Sequence, residues 1–342
     1  MIARKPLCLL ACFVFACLIN QASLVAQAKK TQGAEKKNSA TTSDPSKTPA
    51  KPGTPAQTAN KDGTIDMVLP TPDGWQIHCT WFESAAGRES ACAILLTATD
   101  GLAEKDARNR RVWQPTALAL QKAGFAVITV DLRKHGDSIP ASPTGEPLTM
   151  KISNADYPLM ASSDLETVKA FLMEQHKAEM LNIRKLGIVA MGSSAMVAAA
   201  FTIEDWAKTP YPDAPTIDQR TPRGQDVRSL IMYSPNTTVR GLNTTALLKT
   251  LKGLPVPVYV VAAKDNKEDA RNADKVFKAV ELKGDQFKDT RKLLLTSGQT
   301  HAEAYLEGQL APATQKDIID FLTRNVKDLE APWIDRTDRR TK

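Results

Sequence analysis

A doubly wound, mostly parallel α/β sheet that opens on an antiparallel hairpin and carries no large lid is the fold this sequence predicts from residue 63 onward. Three observations predict it. Apolar runs of strand length alternate with longer amphipathic stretches from Ile65 to Val326. Runs such as Cys92–Ala98 are apolar without interruption, as strands covered on both faces are. The connections after Asp137 and after Trp206 are the only long ones, which leaves no room for a large lid domain. Strict alternation of strand and helix gives a parallel sheet between helices, and right-handed crossovers restrict the winding.

The elements follow in order. Ile65–Leu69, a Pro-Thr-Pro-Asp-Gly turn and Trp75–Phe82 form the hairpin. The strand Cys92–Ala98 leads to a helix over Pro115 to Lys122, with Pro in its first turn and Gly124 just beyond its end. The strand Phe125–Leu132 comes next. Ser163 and Glu166 have capping-box spacing, and Leu165, Val168, Phe171 and Leu172 share one face of the helix they would open. Then come the strand Leu186–Met191, an Ala-rich helix over residues 195–206, the strands Ser229–Tyr233, Val256–Ala262 and Lys292–Leu295, and a last helix over Thr314–Val326.

The N-terminus reads differently. Two basic residues, Arg4 and Lys5, precede thirteen apolar residues from Leu7 to Ile19, short of the ~20 needed to span a bilayer. Ala26-Gln27-Ala28 has the small-x-small pattern of a signal-peptidase site, so residues 1–28 read as a secretory signal. Lipidation at Cys17 and retention as an uncleaved anchor are the alternatives, and either would tether the protein to a membrane. Residues 29–62 hold Lys, Thr, Ser, Pro and Ala with no aromatic residue, a linker unable to bury enough surface to fold. A domain over 63–328 and a polar tail over 329–342 complete the chain, whose destination is secreted or periplasmic.

The formal net charge of +7 is carried mainly ahead of the domain: +2 in residues 1–28 and +4 in 29–62, which leaves +1 for the remaining 280 residues. A nearly neutral domain does not attract a polyanion, so nucleic acid is not an expected partner. Past the signal only Cys79 and Cys92 remain, too few for a disulfide framework, and no Cys/His spacing suggests a metal site. Nothing calls for a cofactor.

In a sheet of this kind the ligand crevice lies beyond the carboxyl ends of the strands. The sequence Asp131-Leu132-Arg133-Lys134-His135-Gly136-Asp137-Ser138 stands at one such end and resembles the Asp-x-Arg-Gly-His-Gly-x-Ser loop of α/β-hydrolases. With the hairpin and the element order, the resemblance covers residues 65–327 and is to the esterase, lysophospholipase and serine-aminopeptidase branch. It implies an acidic triad member at Asp265, in Ala262-Ala263-Lys264-Asp265, and a general base at His301, after Lys292–Leu295. Both stand in the chain order Ser, Asp, His.

The nucleophile elbow has two registers. Gly192-Ser193-Ser194-Ala195-Met196 supplies Ser194 but places Met196 where backbones must approach closely. Ala190-Met191-Gly192-Ser193-Ser194 satisfies the small flanking positions and puts Gly192 at the nucleophile position, keeping the elbow without its chemistry. Sterics favour the second; Ser193 is a further candidate nucleophile. Where active relatives place His-Gly at the oxyanion region this chain has Thr97-Ala98, with Asp100 close behind, and a carboxylate there opposes a developing oxyanion. The resemblance thus implies an esterase-like or peptidase-like protein degenerate at its elbow. The alternatives are an active serine hydrolase of esters, amides or peptides using Ser194, Asp265 and His301, and a surface-tethered binding module.

Overall fold

A computed structural model describes residues 57–100, 109–140 and 150–341. The signal over 1–28 and most of the linker lie outside the described residues. Nine strands form one sheet: β1 (Gln57–Ala59), β2 (Ile65–Pro70), β3 (Gln76–Phe82), β4 (Ala91–Leu96), β5 (Phe125–Val130), β6 (Leu186–Met191), β7 (Val227–Tyr233), β8 (Val258–Ala263) and β9 (Arg291–Thr296). Their spatial order is β1-β2-β3-β5-β4-β6-β7-β8-β9. β1, β2, β3 and β5 pair antiparallel, and every pairing from β5 onward is parallel. The doubly wound sheet with an antiparallel start is therefore as the sequence reads.

Side chains alternate across the sheet, and each face has its own core. On one face, Cys92, Ile94 and Leu96 of β4 join Ala126, Ile128 and Val130 of β5. That core is closed by α3 (Glu166–Lys177), α4 (Ser194–Ala207), α5 (Thr244–Lys252) and α6 (Lys267–Val280), through residues such as Leu172, Ala198, Leu251 and Val276. On the other face, Ala93, Leu95 and Val127 pack with α1 (Gln114–Lys122) and α7 (Ala311–Leu322). α7 lies so near β6 that a Cβ on Gly187 would fall 2.6 Å from Leu322 Cδ2. Cys79 on β3 and Cys92 on β4 are separated by β5 and are free, buried thiols, both pushed up in pKa by burial.

Four features depart from the sequence reading. First, the linker does not run to residue 62: β1 pairs with β2, and Asp62 accepts hydrogen bonds from Thr64 and Gln114. Second, Ser163 caps no helix. A short α2 (Asp156–Leu159) and a π-helical stretch, Met160–Leu165, run directly into α3, and Ser163 Oγ donates to Asp73 instead, 2.8 Å away. Third, α5 and α6 arise in stretches the sequence reading left unassigned. Fourth, the polar tail docks. Asn182 donates to Ala331 O, Arg184 to Pro332 O, and Trp333 Nε1 to His176 O.

The tail ends its path in a buried ionic cluster. Arg336 contacts Asp226 through its two terminal guanidinium nitrogens, at 2.5 and 3.1 Å, just ahead of β7. Lys169 of α3 lies 2.7 Å from Asp226 and also pairs with Asp205 at the end of α4. Asp205 in turn accepts the backbone N–H groups of Asp226 and Val227. All four residues are at most 2% exposed. Lys169 is pushed up in pKa by the two carboxylates against the opposing effect of burial.

Candidate active site

The tip of the turn between β6 and α4 is Gly192. Its φ is +56°, the left-handed region that a nucleophile elbow imposes on the residue at its tip and that glycine adopts without strain. The amide of Gly192 donates to Tyr233 O on β7, and its carbonyl accepts from Asn236 N and Ala195 N. Ser193 follows in helical conformation and Ser194 opens α4. Ser194 is fully buried, and its Oγ donates to Thr97 O at 2.6 Å and lies 3.1 Å from Thr99 Oγ1. That hydroxyl fastens the helix start to the end of β4.

The space beside Gly192 is filled. A Cβ built on it would lie 1.7 Å from Asp100 Oδ2 and 2.8 Å from Ala98 Cβ, so no side chain fits while Asp100 holds its place. Asp100 is held there by the backbone N–H of Ser193 at 2.9 Å, by Ser193 Oγ and by Asn236 Nδ2 at 3.1 Å. In an elbow the N–H of the residue after the nucleophile is one oxyanion donor, and a second comes from the loop after the neighbouring strand. Ser193 N, next after Gly192, stands at the first of these positions. Ala98 N occupies the second region, and it donates to Glu303 Oε1 at 2.6 Å. Both amides thus point at carboxylates of the protein itself. Asp100 was visible in the sequence as a charge near this region; Glu303, 205 residues from Ala98, was not.

The imidazole has a carboxylate, though not the one that the spacing suggests. His301 Nδ1 lies 2.8 Å from Asp269 Oδ2. Asp269 is buried in the first turn of α6, where Asn266 caps the helix by accepting from Asp269 N. Asp265 is exposed and accepts from Gly298 N at 2.7 Å, joining the turns that follow β8 and β9. Its hydrogen bond is to that loop, and Asp269, four residues further along, is the carboxylate that meets the ring. Beyond His301, Ala302 and Ser234 both have positive φ, of 44°, and Ala302 N donates to Ser234 Oγ. Two non-glycine residues in that region mark a strained junction at the carboxyl ends of β7 and β9.

His135 belongs to the scaffold: it is buried, with Nδ1 2.8 Å from Arg133 O. Its neighbours in the 131–138 loop are structural too, since Asp131 binds Arg110 and Ser138 Oγ bridges Asp131 O and His78 N. Among the described residues no group of three or more His, Cys, Asp or Glu side chains could hold a metal ion.

Above the elbow lies a cavity of about 360 Å³, lined by Asp100, Lys151, Tyr157, Ser193, Asn236 and Arg240 among others. Tyr157 is pushed up in pKa by burial and by Asp100, and its hydroxyl donates to Thr99 O at 2.6 Å.

No protein-family model and no curated protein matches this chain. Solved structures do. The structure of DcsB in complex with its substrate analogue superposes with a TM-score of 0.53 at 14% identity, over 76% of this chain and 99% of that one. A methylesterase gives 0.52 at 13%, over 84% of this chain and 60% of its own. A fungal esterase from Rhizomucor miehei gives 0.50 at 12%, over 77% and 83%. At such identities the likeness is one of architecture: the chain has the α/β-hydrolase fold.

Proposed function

We propose that this protein uses the α/β-hydrolase fold to bind a small molecule without hydrolysing it, outside the cytoplasm if residues 1–28 act as the signal they resemble. The observation that carries the reading is the carboxylate of Asp100 standing where a nucleophile side chain would project from Gly192. Covalent hydrolysis needs an activated nucleophile at the elbow tip, facing the imidazole. It also needs amide donors open to the oxyanion, each contributing about 3–4 kcal/mol to the transition state. In this chain the tip has no side chain, and both candidate amides donate to negative groups, which oppose a second negative charge. The imidazole–carboxylate pair His301–Asp269 is what this reading takes to be left of a triad.

The test is a fluorophosphonate probe, which labels only an activated serine. The expected result is no labelling of the wild-type protein. Ser193 is the serine to watch, because it lines the cavity and bonds to Asp100. Labelling that disappears in Ser193→Ala or Ser194→Ala would return the protein to the serine hydrolases. The mass of the mature protein tests the export half of the proposal: loss of residues 1–28 is expected, and an intact or lipidated N-terminus would replace export with tethering.

A further inference from the structure

We infer that the cavity above Gly192 binds a small molecule bearing one carboxylate, which Arg240 and Lys151 hold at the rim while hydroxyl or ammonium groups of the ligand face the floor. This deepens the non-hydrolytic reading and rests on it, since a ligand held here is a resident and not a substrate in passage.

Charge is the first argument. Among the described residues three charged side chains line the cavity, the cations Lys151 and Arg240 and the anion Asp100. Among the described residues neither cation forms an ion pair, whereas nearby Lys134 is matched by Asp156 at 2.8 Å. Arg240 spends one donor on Ile152 O at 3.2 Å, and a guanidinium carries five. Within that described lining the cations exceed the anion by one, which a single negative charge on the ligand complements. A dianion would add repulsion from Asp100.

The floor supplies the other half of the specificity. The carboxylate of Asp100 and the hydroxyls of Ser193 and Tyr157 present oxygen, and Tyr157 has already committed its proton to Thr99 O. Those oxygens suit a ligand that brings donors.

The rim is built rather than incidental. Gly241 has φ +72°, and a Cβ there would lie 1.7 Å from Asn154 O, so the loop carrying Arg240 is pressed against the segment carrying Lys151. Lys134 Nζ secures that segment from the other side by donating to Lys151 O at 3.0 Å. A cavity of 360 Å³ has room for about a dozen water-sized groups, at the small end of ligand sites.

Calorimetric titration of the full-length protein with lactate, gluconate and serine, each beside its uncharged amide, tests the inference. At least one carboxylate should bind, its amide should bind roughly tenfold more weakly or worse, and Arg240→Gln and Lys151→Gln should each weaken the carboxylate by a similar factor. Both residues are exposed, so both variants should melt with the wild type. Failure of every carboxylate, equal binding of acid and amide, or unchanged affinity in both variants overturns the proposal, as does preferential binding of inorganic phosphate. Fluorophosphonate labelling of the same sample reports separately. A labelled protein that still selects the acid refutes the absence of hydrolysis and leaves the carboxylate site standing.

Discussion

Carboxylates cluster at both ends of the parallel strands, deeply buried at one end and partly exposed at the other, and the two ends use them in different ways. At the amino end of β7, Asp205 and Asp226 face Lys169 and Arg336, so that two anions meet two cations inside a shell at most 2% exposed. At the carboxyl ends of β4 and β6, Asp100 and Glu303 accept from the amides of Ser193 and Ala98, beside a left-handed glycine. One arrangement holds the fold together; the other, on the proposed reading, occupies the positions where a hydrolase would develop charge. What such a carboxylate does is decided by the group facing it.

The largest expected effect lies at the amino end. Arg336→Ala leaves two buried carboxylates sharing one ammonium, and breaking such a network costs about 3–5 kcal/mol. A melt should show a fall on the order of 10 °C. Asp100→Ala should cost no more than about 1–2 kcal/mol, because it frees an amide beside a cavity that water can enter. Equal losses from the two variants would break the comparison.

The elbow gives a middle-sized effect with a characteristic sign. Gly192→Ser alone sets a side chain on Asp100 and strains the backbone by about 1–3 kcal/mol, and it should create no fluorophosphonate labelling. Adding Asp100→Gly removes the collision, so the double variant should be more stable than the sum of the two single effects by at least ~1 kcal/mol. Additive melts would mean that Asp100 does not hold the space beside Gly192.

The smallest effect is a pH dependence seated at the amino end. His176 is buried beneath the tail, with Nδ1 3.1 Å from Leu181 O and 3.3 Å from Ile183 N, and Nε2 2.9 Å from Ile334 O. Burial lowers its pKa below the ordinary 6.5. Below that ordinary value the unfolded chain takes up a proton that the folded ring refuses, so stability declines as pH falls from about 6.5 toward the folded value. Melts at pH 7 and pH 5.5 should separate, and His176→Gln should narrow the gap.

Most strands were legible because their apolar runs are continuous, and the separation of Cys79 from Cys92 followed from the strand order. At the elbow, residue size alone separates Met196 from Gly192 in the sequence. Other parts had no local signal. Asp265 has the residue type and position of a triad acid, but only the hydrogen bond to Gly298 and the added turn of α6 show that Asp269 meets His301. Glu303 is two residues past His301 in sequence, and its approach to Ala98 depends on the strained turn at Ala302. Arg336 reads as one more polar residue in a polar tail, because its partner lies 110 residues away.

That separation orders events during synthesis. Lys169, Asp205 and Asp226 all leave the ribosome more than a hundred residues ahead of Arg336, so a growing chain that already contains every strand still carries one ammonium against two carboxylates. The clasp that balances them arrives only after the last strand, β9, has been made. A product terminated ahead of Arg336 would therefore keep an unbalanced buried charge at the amino end of β7.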